Sequence, residues 1–198
     1  DTKKGAAAMI THMDNDVGKL IALLEELQLD KDTLVFFTSD NGPHSEGGHK
    51  HETFNSNGPL RGYKRDLYEG GIRVPTIAFW PGKIAAGGSS SEPLAFWDWL
   101  PTACELAGIN SPEETDGVSF VPTLLGQESK QASHPYLFWK YGKKQALRRT
   151  NWKLVINNPE ASPELYDLRT DIGETSNLAK DNPNLVAELH QLIKEASR

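Results

Sequence analysis

Thr33-Leu-Val-Phe-Phe-Thr-Ser-Asp-Asn-Gly42 decides how this chain is read. Leu34-Val-Phe-Phe37 is apolar without a break and mixes β-branched with aromatic side chains. Such a run suits a strand buried on both faces, as in the parallel sheet of an α/β protein. It ends in Ser39-Asp40-Asn41-Gly42, so a polar cluster stands at the strand's carboxyl end, where open α/β sheets bind ligands. Upstream, Met9, Ile10, Met13, Val17, Leu20, Ile21, Leu24 and Leu27 recur at steps of three and four. That spacing predicts an amphipathic helix over residues 5–29 with one buried face. Downstream, residues 42–75 are rich in Gly, His, Asn and Pro and keep no period, which predicts a long loop, of the kind that is usually either functional or disordered. A second buried strand is expected at Thr76-Ile-Ala-Phe-Trp80. A helix should then run from an Asp98 N-cap to a Gly108 C-cap, with Pro101 tolerated in its first turn.

Past residue 130 the pattern changes. Tyr136-Leu-Phe-Trp139, Gln145-Ala-Leu-Arg148, Trp152-Lys-Leu-Val-Ile156 and Leu165-Tyr-Asp-Leu168 are short β-like runs separated by turn residues, which predicts an antiparallel meander. Leu185, Val186, Leu189, Leu192 and Ile193 share one face of a last helix from Pro183 to Ala196. The expected organisation is an α/β portion over residues 1–130 and a small sheet covered by a helix over residues 131–198.

The 198 residues are 37% hydrophobic and 24% charged, the balance of a globular chain. A net charge of −6 and the lack of a basic patch argue against a nucleic-acid partner. No apolar run reaches the ~20 residues of a membrane span. The one cysteine, Cys104, excludes an internal disulfide and a cysteine zinc site, and on an amphipathic helix it reads as a buried structural thiol. The chain opens at Asp1-Thr2-Lys3-Lys4 with neither initiator methionine nor signal peptide, which reads as a trimmed beginning.

Three groups can carry chemistry. Asp40 and Asn41 offer hard oxygen ligands for Ca²⁺ or Mg²⁺, with Gly42 allowing a sharp turn; Asp-Asn-Gly also serves as a plain strand-to-loop turn. His44, His49 and His51 with Glu46 and Glu52 resemble a transition-metal set, although the spacing matches no defined zinc motif, and one of these histidines also suits a substrate contact. Arg61-Gly-Tyr-Lys-Arg65 offers cations to an anion, or forms a solvated basic turn. Arg73, after Glu69-Gly70-Gly71, can face an anion or pair with Glu69.

The order of these groups resembles a known family. Leu34-Val-Phe-Phe-Thr-Ser-Asp-Asn-Gly42 followed by Leu60-Arg-Gly-Tyr-Lys-Arg-Asp-Leu-Tyr-Glu-Gly-Gly-Ile-Arg-Val-Pro75 looks like the central part of formylglycine-dependent sulfatases of the arylsulfatase type. Ala78-Phe-Trp-Pro-Gly82 and Asp98-Trp-Leu-Pro-Thr102 continue in register. Glu164-Leu-Tyr-Asp-Leu168 with Gly173-Glu-Thr-Ser-Asn-Leu178 is similar to the family's C-terminal signature. The resemblance implies part of an alkaline-phosphatase-like mixed sheet, then a small antiparallel subdomain. It implies that Asp40 and Asn41 are two of four oxygen-bearing protein ligands of a Ca²⁺, with Mg²⁺ the lesser fit. It further implies that Lys64 contacts the sulfate ester near its bridging oxygen, that His44 faces substrate, and that Arg61 and Arg73 support the loop. A sulfated small molecule or sulfated glycan is the implied substrate, and a periplasmic, secreted or lysosomal parent the implied setting.

The departure from the family is equally specific. The formylglycine nucleophile arises from Cys/Ser-x-Pro-x-Arg, and this chain has no such motif: Cys104 is followed by Glu105-Leu106, and Ser91-Glu-Pro-Leu-Ala95 and Ser133-His-Pro-Tyr-Leu137 lack the arginine. The expectation is a C-terminal portion that holds part of the metal and sulfate site, is inactive alone, and exposes apolar faces that favour self-association. A phosphodiesterase or phosphonate hydrolase of the same superfamily, or a non-catalytic binding module, are the alternatives.

Overall fold

The computed structural model describes residues 2–197. Its elements are α1 (Thr2–Glu26), β1 (Val35–Thr38), α2 (Glu69–Ile72), β2 (Thr76–Phe79), α3 (Trp99–Leu106), α4 (Val121–Leu124), β3 (Leu137–Tyr141), β4 (Lys144–Arg149), β5 (Trp152–Ile156), β6 (Glu164–Asp167) and α5 (Pro183–Ala196). They form two compact units. One gathers Thr38–Pro75 and Pro135–Arg198 with the start of α1; the other gathers His12–Phe37 and Thr76–His134.

In the first unit, β3-β4-β5-β6 is the expected antiparallel meander. Strand alternation gives each face its own core. Leu147, Leu154 and Leu165 pack with Leu189 and Ile193 of α5. Ala146, Val155 and Tyr166 point the other way and pack against Leu67 and Tyr68, with Ile72 alongside. The segment carrying Leu67, Tyr68 and Ile72 is thus one cover of the C-terminal sheet. Hydrophobic burial of this kind contributes about 1.5–3 kcal/mol per large side chain.

β1 pairs with β2. Thr38 Oγ1 donates to Pro75 O at 2.9 Å, and Trp80 Nε1 donates to Lys31 O at 2.8 Å. The end of one strand therefore meets the start of the other, and β2 runs antiparallel to β1. The expectation that both strands are buried is corrected: β1 is half-buried throughout, and Thr76 and Ile77 of β2 are exposed. The apolar pattern records what these strands require, and the described residues cover them only in part. Phe36, Trp99 and Phe120 pack edge to face, with centroids 3.9–5.7 Å apart. Asp98 stands at the N-cap position of α3 without capping it. Its buried carboxylate instead accepts the N–H groups of Ala95 and Val118 and pairs with His134 at 2.8 Å. Gly108 does end the helix, with φ at +69°. Its N–H bonds Glu105 O and the Ile109 N–H bonds Cys104 O, the paired bonds of a glycine-terminated helix.

Helix α1 needs a second correction. Met9, Ile10, Met13, Leu20 and Leu27 are exposed, Val17, Ile21 and Leu24 are only half-buried, and none of the described side chains of the helix is buried. An uncovered stripe of this length favours association. The chain is expected to self-associate as concentration rises; light scattering that reports a monomer up to high concentration would count against this. No helix of the described residues is long and apolar enough to cross a membrane.

Candidate metal and anion site

The Asp40–Gly42 turn, the loop around Lys64 and α2 meet backbone to backbone. Gly42 donates its N–H to Gly71 O at 2.9 Å, Gly70 to Arg61 O at 2.7 Å, and Lys64 to Pro43 O at 2.8 Å. The approach leaves no room for side chains. A Cβ on Gly42 would stand 1.8 Å from Gly70 O; one on Gly70, 2.3 Å from Gly62 O; one on Gly71, 2.2 Å from Asp66 O. Glycine is required here by close approach. The knot joins Asp40, Asn41 and Lys64, far apart in sequence, through one small piece of backbone.

Within the turn, Ser39 Oγ donates to Asn41 O and Asn41 Nδ2 donates to Gly42 O, each at 2.9 Å. The amide nitrogen is thereby committed to the backbone, and Asn41 Oδ1 is left as an acceptor. With the exposed carboxylate of Asp40, that gives two hard oxygens of the six to eight that Ca²⁺ takes. These residues fit part of a hard-cation shell.

The histidines are not gathered into a metal site. Among the described residues no group of three or more His, Cys, Asp or Glu is placed to hold a metal. His51 stacks on Tyr63 and bonds Ser45 Oγ at 2.7 Å. The rings of His44 and His49 lie 5.1 Å apart, and His44 Nδ1 accepts the Glu46 N–H at 3.1 Å.

Glu46, read from sequence only as a member of the histidine set, joins these parts instead. Its two oxygens take Lys64 Nζ at 3.2 Å and an Arg65 guanidinium nitrogen at 2.5 Å. The hydrogen bond from Lys64, then the charge of Arg65, hold this carboxyl below the ordinary Glu range. Arg65 has φ at +77°, a left-handed conformation rare outside glycine. Two cations thus converge on one carboxylate, and an anion of similar span can take the same donors.

Arg61 supports the loop, as expected. It lies 3.8 Å from the centroid of the Tyr68 ring and donates to Tyr166 Oη at 2.8 Å and to Glu174 O at 2.9 Å. Burial, then the Glu164 carboxylate, push the phenol of Tyr166 well above its usual value, so it remains a donor. Arg73 pairs with Glu69 at 3.6 Å.

A second buried cluster lies beneath α2. Lys153, fully buried on β5, stands 2.8 Å from Glu69 Oε1 and 2.9 Å from Glu174 Oε1. Glu174 Oε2 accepts the Glu69 N–H at 2.6 Å. Glu174 has φ at +52° and is held by the Asp171 loop. Burial raises the Glu174 carboxyl, and Lys153 only partly offsets this.

Asp171 accepts the N–H groups of Thr175 and Ser176 and the Thr175 hydroxyl at 2.8–3.1 Å. Burial raises this carboxyl; the Ser176 and Thr175 bonds more than offset that, so it sits below the ordinary Asp value. Its stabilising contribution is present above the unfolded pKa and is lost as pH falls from about 4 through the folded value. Asp171→Asn is therefore expected to be less stable than the wild type at pH 7. The gap in urea midpoints should close toward pH 3; a gap independent of pH would contradict the assignment.

The sulfatase family model matches residues 5–109, and a model described as N-sulphoglucosamine sulphohydrolase, C-terminal, matches residues 62–198. Human steryl-sulfatase is 44% identical over 133 residues, which are 65% of this chain and 23% of that protein. Mouse N-acetylgalactosamine-6-sulfatase is 36% identical over 177 residues, 86% of this chain and 32% of that protein. The solved structure of Ps i-CgsB in complex with k-i-k-neocarrahexaose is 28% identical with a TM-score of 0.77, covering 93% of this chain and 40% of that one. The chain thus spans well under half the length of the relatives it matches.

Proposed function

Because the chain belongs to the sulfatase family, we propose that it supplies the C-terminal portion of an enzyme hydrolysing sulfate monoesters. In this reading Asp40 and Asn41 are two ligands of a Ca²⁺ and Lys64 contacts the ester. The observation that carries it is the backbone knot through which the Asp40–Asn41 turn and the Lys64 loop rest on α2. The cation neutralises charge on the sulfate oxygens when bound. Lys64 adds a second positive charge and a proton donor at the bridging oxygen, and Arg65 and His44 line the approach. Glu46 keeps Lys64 and Arg65 together until an anion takes its place. The formylglycine, supplied by sequence outside this chain, provides the nucleophile.

The substrate class is a sulfated glycan or a sulfated small molecule. The mammalian relatives are named for a steryl and an N-acetylgalactosamine-6 sulfate, and Ps i-CgsB is solved with a neocarrahexaose. The test is turnover by the full-length protein carrying this sequence, with its formylglycine installed. Sulfated monosaccharides and 4-nitrophenyl sulfate should be hydrolysed, and a phosphate diester should not. The 198-residue chain alone, without a Cys/Ser-x-Pro-x-Arg motif, should turn over neither. Preference for the diester, or turnover by the chain alone, would overturn the reading.

A further inference from the structure

Lys153 lies outside the knot and touches none of Asp40, Asn41 or Lys64 in any hydrogen bond or ion pair described above. It is 0% exposed, as is Glu174, and Glu69 is 2% exposed. A lysine buried to this degree needs anionic partners, and both it finds bear on α2. Glu69 is the first residue of α2 and carries its carboxylate to Lys153. Glu174 meets Lys153 with one oxygen and takes the Glu69 N–H with the other. The side chain of Glu69 is therefore fixed from β5 and its backbone from the loop after β6.

α2 cannot hold itself. It has four residues, two of them glycines, and helices this short are unstable without tertiary support. Its carbonyls and N–H groups nevertheless form the floor of the site: Gly71 O receives Gly42, and Gly70 N–H binds Arg61 O. Lys64 is joined to the same floor through Pro43.

We propose that Lys153 is a positioning residue of the sulfate site: by clamping Glu69 through its paired carboxylates, it holds the Gly70–Gly71 backbone on which the metal turn and the lysine loop rest. The proposal takes its functional meaning from the sulfatase reading, but its test is separate. Turnover tests the chemistry, and backbone exchange tests the clamp, so either can fail alone.

The experiment is residue-resolved amide hydrogen exchange on this chain, comparing wild type with Lys153→Met. Exchange at Gly42, Lys64 and Gly70 is expected to accelerate by roughly tenfold or more. The β5–β6 amides of Leu154 and Leu165 and the α5 core at Leu189 should change far less. Glu69→Gln, which keeps the shape and removes the paired charge, should repeat the pattern. Unchanged exchange at the three site amides would overturn the proposal. So would equal acceleration everywhere, because that is the signature of a lysine serving only global stability. Failure of both variants to fold would overturn it for the same reason.

Discussion

An alanine at Gly42 is expected to dismantle the site while leaving the C-terminal sheet folded. The added Cβ would stand 1.8 Å from Gly70 O and 2.8 Å from Gly70 C, both backbone atoms. Neither can retreat. Gly70 is bonded to Arg61 O and has only 2.3 Å between its own Cβ position and Gly62 O, and Gly71 is wedged against Asp66 O. Overpacking against movable side chains costs about 1–3 kcal/mol; against fixed backbone the cost belongs at the top of that range. The Gly42–Gly71 and Lys64–Pro43 hydrogen bonds would be lost together. Urea denaturation and the backbone amide spectrum measure the two consequences. Gly18→Ala is the control, since nothing lies within 4 Å of its Cβ position in α1. An alanine there should stabilise by about 0.5–1 kcal/mol. A Gly42→Ala chain with an unchanged urea midpoint and unmoved Gly71 and Lys64 amides would mean that the knot does not form.

What could be read from sequence, and what could not, follows physical lines. The meander from Leu137 to Asp167 and helix α5 were legible because their apolar residues alternate or recur at helical spacing, and each pattern finds its cover within this chain. β1 and α1 carry equally clear patterns, but a pattern states what a face requires and not whether this chain meets it. Helix α2 was invisible because Glu-Gly-Gly-Ile has poor intrinsic helix propensity; clamped Glu69 and the glycine contacts stabilise it instead. Lys153, within Trp152-Lys-Leu-Val-Ile156, reads as the polar outward position of a strand, yet it is the most deeply buried cation of the described residues. Nothing local announces Glu69 and Glu174, which lie on either side of it in sequence. In the site itself, the donor types were legible at Asp40, Asn41 and Lys64. The partner that assembles the cations, Glu46, was hidden among histidines that form no metal-holding group with it.

Replacing Lys64 with alanine in the full-length enzyme should have the largest effect on rate, and the effect should depend on the leaving group. Lys64 is half-buried, with its Nζ 3.2 Å from the Glu46 carboxylate, which the ester would displace in the proposed reading, and its backbone tied to Pro43. A proton donor so placed helps most when the departing oxygen is strongly basic. A sugar alkoxide leaves poorly without a proton, and general acid assistance contributes about 10²–10⁴-fold in such cases. A 4-nitrophenolate leaves readily and gains little. For Lys64→Ala, kcat on a sulfated monosaccharide should therefore fall by about 10²–10⁴-fold, and kcat on 4-nitrophenyl sulfate by much less. Equal losses on both substrates would assign Lys64 to the non-bridging oxygens, where it stabilises charge without assisting departure. An unchanged rate on both would remove it from the site. Glu46→Gln separates binding from chemistry: it frees Lys64 and Arg65 of their internal anion, so KM for the sulfated sugar should fall while kcat is kept. If KM rises instead, Glu46 holds the two cations in place for substrate, and the internal carboxylate is part of the site rather than a competitor for it.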